Sequence, residues 1–281
     1  MNNIIVAGIV LYNPEIGLLK KNIDSIKNQV RKIIIFDNGS SNIKEIESSL
    51  RKYSKVDVLK SKKNLGIAAG LNRIFKFSHQ KYKANYILTL DQDSVCPPNL
   101  IKEYLKYKRP NVGIFTPLVR DVNANSLLNH SDNETDIVKN CITSAALTNY
   151  DAWKIVNGFD ESMFIDCVDF DFCNRIRSKS FIVLRVNTIT LYHKIGNMQI
   201  YKFPFCRVMI KNHNTFRKFY IARNTIFIAR KGQKNILISC LQVFKQMILV
   251  ILFENNKFEK EKALVSGAYA GMKANIITKW L

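Results

Sequence analysis

Tyr86-Ile87-Leu88-Thr89-Leu90-Asp91-Gln92-Asp93-Ser94 sets the fold class of this chain. An apolar, strand-forming run meets two carboxylates, and Pro97-Pro98 keeps the strand from continuing. Two acids at the carboxyl tip of a buried strand offer oxygen ligands to a hard divalent cation such as Mg²⁺ or Mn²⁺. Such a cation fills its remaining positions with water or substrate phosphate. In an open α/β sheet that tip is also where ligands bind. The segment points to an α/β enzyme acting on a nucleoside-diphosphate compound.

Its neighbours alternate strand with helix. Residues 4–12 read as an apolar strand closed by Asn13-Pro14, and Leu18, Leu19, Ile23, Ile26 and Val30 follow at helical spacing. A second strand, 32–36, ends at Asp37-Asn38-Gly39-Ser40; Ser41 or Asn42 can cap the next helix, with Glu45 in its first turn. Residues 56–59 form a short strand and 67–77 a helix. Past the two aspartates come a Pro-initiated helix at 98–107 and a strand at 112–116. This alternation predicts a mostly parallel sheet with right-handed crossovers. Residues 121–139 are polar and read as a surface excursion over the site. Regular signals return at 141–147, with a turn at Asn157-Gly158, a helix start within 164–177 and strand-like stretches at 181–186 and 188–192. Beyond residue 197 strand alternation fades, and 214–230 and Ile236–Phe253 read as helices.

The chain has 281 residues, 47% of them apolar, so it can build a real core. Its net charge of +21 is unevenly spread: fifteen Lys and Arg and no acid lie between Asp171 and Glu254. Such a surface attracts polyanions: nucleic acid, anionic lipid or diphosphates. Basic residues are not interleaved with aromatics as a nucleic-acid stacking platform requires, which argues against that partner. The six cysteines (Cys96, Cys141, Cys167, Cys173, Cys206 and Cys240) form no metal-binding or disulfide framework. Residues 4–12 lack the basic flank and cleavage site of a signal peptide, so the expected location is cytoplasmic. Ile236–Phe253 approaches the length of a membrane span. Lys245 near its middle and a polar stripe of Ser239, Gln242, Lys245 and Gln246 favour burial against the domain, then interfacial attachment, then a span.

Eight blocks occur in the order found in one enzyme family. They are Val10-Leu11-Tyr12-Asn13-Pro14; Phe36-Asp37-Asn38-Gly39-Ser40; Asn64-Leu65-Gly66-Ile67-Ala68-Ala69-Gly70-Leu71-Asn72; and Leu90-Asp91-Gln92-Asp93-Ser94. The others are Phe159-Asp160-Glu161; the run from Phe164 through Asp166, Asp169 and Asp171 to Arg175; His193-Lys194-Ile195-Gly196; and Arg217-Lys218-Phe219-Tyr220-Ile221-Ala222-Arg223-Asn224. The chain thereby resembles family 2 glycosyltransferases over nearly its whole length, in the bacterial rhamnosyltransferase branch that builds O-antigens and related surface polysaccharides. The resemblance implies an α/β, GT-A-type (Rossmann-like) domain over 1–196. Its nucleotide-sugar half is 1–120 and its acceptor and catalytic half 121–196, with a helical, basic region at 197–281. It implies inverting, metal-dependent transfer of L-rhamnose from dTDP-β-L-rhamnose to a polyprenyl-diphosphate-linked glycan. The enzyme would be peripheral on the anionic inner membrane surface. A UDP-hexose or UDP-galactofuranose donor is the alternative within the fold; a non-catalytic polyanion-binding protein is the alternative outside it.

The resemblance also distributes roles, each beside a plainer reading. Asp93, with Asp91 and His193, would hold Mg²⁺ or Mn²⁺, although an Asp pair can be a solvated turn and a single His is commonly structural. Tyr12, Asp37, Asn64, Gly66, Asn72, Asp91 and Gln92 would line the nucleotide-sugar site, with Asp37 accepting from the base imide N–H. Asp37 could equally be a turn former, and Gly66 and Gly70 could serve tight backbone geometry. Asp169 would be the general base that deprotonates the acceptor hydroxyl. Asp166 and Asp171 would contact the acceptor, with Asp171 standing where a Glu is more usual; acids there would also suit a helix N-terminus. Arg217, Tyr220, Arg223 and Asn224 would bind diphosphate, or else form an exposed basic helix.

Overall fold

The computed structural model describes residues 3–121, 126–127, 131–193, 199–202 and 207–281. Strands β1 (Ile5–Leu11), β2 (Lys32–Asp37), β3 (Val56–Lys60) and β4 (Tyr86–Leu90) alternate with helices α1 (Ile16–Ile26), α2 (Ile43–Leu50) and α3 (Ile67–Tyr82). Then come α4 (Leu100–Lys106), β5 (Val112–Asp121), β6 (Ser126–Leu127), β7 (Thr135–Val138), β8 (Ala146–Asn149), α5 (Tyr150–Ile155), α6 (Val168–Ser178) and β9 (Ile182–His193). A hairpin, β10 (Gln199–Lys202) and β11 (Arg207–Ile210), leads to α7 (Thr215–Arg230), α8 (Ile236–Phe253) and α9 (Lys257–Lys273).

The main sheet runs β3-β2-β1-β4-β8-β5-β9-β7, with β6 on β5. β1 to β4 are mutually parallel, β8 is antiparallel to β4 and β5, and β9 lies parallel to β5. β4, β5 and β9 therefore point the same way, so Asp91, Asp121 and His193 reach one edge of the sheet.

Both sheet faces are covered, which explains why its central strands are apolar throughout rather than alternating with polar residues. Ile5, Ala7, Ile9 and Leu11 of β1 pack with Leu19, Ile23 and Ile26 of α1, whereas Val6 and Val10 pack with Ala68, Leu71, Ile74 and Phe75 of α3. The period-two split recurs in β2, where Ile33 and Ile35 oppose Ile34 and Phe36.

Several sequence expectations need correction. The polar stretch 121–139 is not wholly an excursion, because β7 closes the sheet edge by antiparallel pairing with β9; residues 122–125 and 128–130 lie outside the described residues. α4 starts at Leu100, two residues after the expected Pro start, because Asn99 takes a left-handed conformation first. The segment 141–147 yields its strand late, at β8, and the two stretches before His193 merge into β9, with a register shift against β5 at Pro117/Leu118. The β10–β11 hairpin and α9 were not anticipated. α9 contains Gly267 and Gly271, poor helix formers by propensity. A Cβ at either would lie 2.2 Å from the Phe219 carbonyl oxygen or 2.4 Å from that of Arg223, so α7 can approach only glycine there.

α8 also departs from expectation. Of its 18 residues only Ser239, Val243 and Val250 are buried, while Leu237, Leu241, Phe244, Ile248 and Leu252 are exposed. Of the polar stripe, Ser239 is buried and Gln246 half-buried while Gln242 and Lys245 are exposed, so α8 leaves much of its apolar surface uncovered, unlike an ordinary surface helix. By length and composition alone α8 could cross a membrane. Its inner end is fastened by a buried ion triad, with Glu254 accepting from Lys218 (2.6 Å) and Lys260 (2.8 Å).

Candidate active site

The tips of β1, β2 and β4 form one wall of a cleft. Asp91 follows β4 directly, and its backbone is held from two sides. The buried Asn22 amide donates to the Asp91 carbonyl (2.6 Å), and Ser94 N–H closes a turn onto the same oxygen (3.1 Å). Gln92 turns back to accept from Tyr12 N–H (3.0 Å), tying the tip of β1 to this turn. Asp93 is exposed. From the end of β9, His193 Nε2 comes to 3.6 Å from Asp91 Oδ2. Burial holds the Asp91 carboxyl above the usual carboxylate range and the Asp93 charge adds to this, while His193, Arg217 and a Thr143 hydrogen bond oppose it. Among the described residues no group of three His, Cys, Asp or Glu side chains closes on one point. Asp91, Asp93 and His193 thus fit a partial ligand set, of the kind that a hard cation completes with water or substrate oxygens.

On the β2 side, Asp37 is buried and, among the described residues, accepts long hydrogen bonds from Ser40 N–H (3.4 and 3.3 Å). Asn38, whose role the sequence did not reveal, organises the neighbouring loop. Its amide donates to Asn64 Oδ1 (2.9 Å) and the Gly66 carbonyl (3.2 Å), and its oxygen accepts from Leu65 N–H (2.8 Å). Gly66 has φ +85°, and a Cβ there would sit 2.6 Å from the Phe164 carbonyl oxygen, so the glycine lets two site loops touch. Asn72 does not face the cleft as expected. It is buried, donating to Phe159 O (2.9 Å) and Glu161 Oε1 (2.8 Å) and accepting from Phe159 N–H (2.8 Å) and Trp153 Nε1 (3.3 Å).

The opposite wall is the loop 163–167 and the start of α6. Phe164, Asp166 and Cys167 have φ of +56°, +62° and +63°, costly for residues with side chains and held only where surroundings enforce them. Asn224 of α7 supplies that enforcement, donating to the carbonyls of Met163 (2.8 Å), Ile165 (2.7 Å) and Asp166 (2.9 Å). Arg217 grips the Asp166 carboxylate with two nitrogens (3.2 and 2.5 Å), and Tyr220 stacks on Phe164 at 5.1 Å. Arg223 leans on Asn224 Oδ1 (2.6 Å). These α7 residues do share a face, but it braces a loop. Asn224, with no exposed surface, cannot touch a ligand as the structure stands.

Asp169 sits in the first turn of α6, half-buried, accepting from Phe170 N–H (2.9 Å). Burial pushes its carboxyl up to about 7, helped by the charges of Asp91 and Asp166 and opposed by backbone N–H groups. Asp169 lines a small space with Thr89 and Thr143, and Thr143 hydrogen-bonds Asp91, so the two acids lie near one another. Asp171 has a different fate. It is fully buried, with Arg175 Nε at 2.8 Å and Gln233 at 2.8 Å, and it meets Lys231, which also binds Asp160 (3.0 Å). Acceptor contact by Asp171 is therefore overturned, because both oxygens are consumed in this ion cluster. Lys231 escaped notice because nothing in the sequence says which lysine of a basic tail is buried. His213 was likewise missed; it lies in the cavity beside Asp166 and Arg217, and burial lowers its imidazole to about 4. Lys194, Ile195 and Gly196, expected to extend the His193 block, lie outside the described residues.

The cleft thus gathers a carboxyl titrating near neutrality, two further acids with an imidazole, and an arginine. That set suits proton abstraction beside a polyanion. Residues 7–134 match the model of glycosyl transferase family 2. The chain is 27% identical over 292 residues to the dTDP-rhamnosyl transferase RfbF of Shigella flexneri, covering 97% of each. A stretch of 108 residues, 36% of this chain and 35% of the other, is 32% identical to the uncharacterized glycosyltransferase MJ1057 of Methanocaldococcus jannaschii. Among solved structures it resembles the mannosyltransferase PcManGT from Pyrobaculum calidifontis in complex with GDP-Man and Mn²⁺ (TM-score 0.60, 11% identity, 99% of this chain and 78% of that one). It also resembles S. aureus TarS 1-349 (TM-score 0.62, 11% identity, 96% and 81%). At such identities these two likenesses speak to the fold, a GT-A-type sheet with a helical carboxyl-terminal region.

Proposed function

The chain carries a glycosyl transferase family 2 domain, and from that premise we propose that it transfers L-rhamnose from dTDP-β-L-rhamnose to a lipid-linked glycan with inversion. The observation that carries the mechanism is Asp169, whose carboxyl is pushed up to about 7 and which lines a small space with Thr143, a hydrogen-bond partner of Asp91. In this reading the Asp169 carboxylate takes the proton of the acceptor hydroxyl as its oxygen attacks the anomeric carbon. The bond from that carbon to the diphosphate oxygen breaks, and dTDP leaves with the electron pair. Single displacement from the β-donor gives an α-linkage.

Asp91, Asp93 and His193 would hold Mg²⁺ or Mn²⁺, which when bound supplies positive charge to the leaving diphosphate. Tyr12, Asp37, Asn64 and Gln92 surround the tips of β1, β2 and β4, and we assign them to the nucleotide. Asp166 and Arg217 form the side facing the acceptor. The similarity to the Shigella enzyme over 97% of both chains supports the choice of sugar. The outward apolar face of α8 and the acid-free basic stretch support a place on the cytoplasmic membrane surface.

The test is nucleotide release from dTDP-rhamnose, UDP-glucose and UDP-galactofuranose by the intact protein with Mn²⁺ or Mg²⁺. Preference for dTDP-rhamnose is expected. Turnover confined to a UDP donor would replace the sugar assignment, and undiminished transfer by Asp169→Asn would remove the base.

A further inference from the structure

Cys141 and Cys173 are 32 residues apart in sequence, yet their sulfurs lie 3.7 Å from one another. Their spacing shows no pair; the fold makes them one. Cys173 belongs to α6 and is buried with Phe172 and Ile176, while Cys141 is half-buried in the segment between β7 and β8. Both are free thiols.

Where the pair sits gives it a consequence. Cys173 follows Asp169 by four residues, about one helical turn, so the two share a face of α6. Cys141, Cys173 and Asp169 line the same small space, together with Thr143. Thr143 hydrogen-bonds Asp91, and its carbonyl accepts from the Thr89 hydroxyl (2.6 Å). One sulfur therefore rides on the helix that carries the base, and the other on a segment anchored to the opposite acid. Cys141 also lines a second cavity of about 550 Å³, beside Lys139 and Phe170, and Cys173 does not. A reagent entering that cavity meets Cys141 first.

We propose that Cys141 and Cys173 are an oxidative modification site, closed to a disulfide by a low-molecular-weight disulfide, and that closure draws Asp169 away from the acceptor hydroxyl. The Cys141 thiolate attacks one sulfur of the small disulfide, whose S–S bond breaks and releases one thiolate. The Cys173 thiolate then attacks the Cys141 sulfur of the mixed disulfide and releases the second. The two protons shed by the protein thiols end on the two released thiolates. Two protein thiols are thus oxidised and one small disulfide is reduced to two thiols. Contact with Cys173, burial and the Asp169 charge hold the Cys141 thiol well above its ordinary range, so thiolate is scarce and exchange is slow near neutral pH. Bonded sulfurs are about 2.05 Å apart, so this pair must close by about 1.6 Å. Cys173 sits in close-packed core, and part of that movement passes to the first turns of α6. A displacement of about 1 Å at a reacting group is worth about 100-fold in rate. The effect on Asp169 rests on the transferase reading; the pairing of the two sulfurs does not.

The test incubates the intact protein, freed of reductant, with glutathione disulfide at mildly alkaline pH, and follows peptide masses and nucleotide release from the donor it turns over. Wild type should gain a Cys141–Cys173 cross-link and lose at least about 10-fold in nucleotide release, both reversed by dithiothreitol. Cys141→Ser and, separately, Cys173→Ala should keep the activity of the reduced protein and escape the loss; using both guards against a folding defect in either. Cys240→Ser, at an exposed thiol of α8, should stay as sensitive as wild type. Thermal stabilisation by dTDP should survive oxidation, because neither cysteine is attached to the tips of β1 and β2. Absence of the cross-link in folded wild type, a cross-link with undiminished release, or a loss that persists in Cys141→Ser and Cys173→Ala overturns the proposal. A reduced protein that releases nucleotide from no donor sinks the transferase reading and with it the effect on Asp169, while the modification site still stands or falls by the cross-linked mass.

Discussion

Asp169→Asn separates the chemistry of the site from its cost to the fold. The substitution keeps shape and removes the titrating proton. The carboxyl titrates at about 7 in the folded chain, against about 3.9 when unfolded. Because the folded value is the higher, the folded state binds more protons between these limits, and stability falls as pH rises through that window. Between pH 5 and pH 8.5 the affected interval is about two units, at most about 2.7 kcal/mol at 1.36 kcal/mol per unit. The side chain is only half-buried, and solvent screening reduces this to about 1–2 kcal/mol.

Urea denaturation of both proteins at the two pH values measures this directly. The variant's stability relative to wild type should improve by about 1–2 kcal/mol on going from pH 5 to pH 8.5. In the same protein, transfer should fall by about 10²–10⁴-fold, the usual worth of a general base. Wild-type kcat/KM should climb with pH to a limb near 7. A stability difference that is the same at both pH values would refute the raised carboxyl; a variant that still transfers would refute the base.

Three further outcomes are expected. Lys231→Met leaves the buried carboxylates of Asp160 and Asp171 short of a cation, so it should cost about 3–5 kcal/mol and lower Tm by roughly 10 °C; a calorimetric scan within a few degrees of wild type would contradict the cluster. Asn224→Ala strips the donor from three carbonyls of the loop 163–167, at about 1–3 kcal/mol; kcat should drop while the donor KM holds, and a pure KM effect would return Asn224 to ligand binding. Asp93→Asn should erase the extra thermal stabilisation that Mn²⁺ adds to dTDP while leaving that of dTDP alone; persistence of the Mn²⁺ increment would exclude Asp93 as a ligand.

What could be foreseen from sequence follows the range of the interactions involved. β1 to β4 and their helices were legible because each strand is apolar through its length and each crossover is local. Asp91, Asp93 and Asp169 stood out because acids at strand tips and helix starts need a reason. Asp171 and Asp169 look alike in sequence, both in the first turn of α6. They diverge because Lys231 and Gln233, some sixty residues later, come back to claim Asp171. Asn72 and Asn224 failed similarly: a buried amide and a ligand-binding amide are the same residue until its backbone partners are known. α8 was expected first to be buried against the domain, but only Ser239, Val243 and Val250 are, because how much of a helix its neighbours cover is set by tertiary packing rather than by its own pattern.

The buried polar groups behind the cleft then have a common purpose. Buried ion pairs are weak stabilisers, since desolvation offsets much of their attraction. Here they add direction to segments that hydrophobic packing also joins, through Val156, Phe159 and Met163 and through Ile226, Val250 and Leu264. Lys231 and Arg175 fasten the 156–160 turn to α6, through Asp160 and Asp171 and through the Val156 and Gly158 carbonyls. Asn224 fastens the next loop to α7, and Glu254 fastens α7 to α8 and α9. Asp169 lies between the first two of these attachments, in the first turn of α6 just after a loop with three strained residues that would relax if either were released. Hydrophobic packing alone is non-directional and tolerates small slides. A base that must meet one hydroxyl within hydrogen-bond distance does not. Loss of Lys231 should therefore slow transfer even at temperatures where the fold persists, so activity below Tm should fall further than the unfolded fraction accounts for.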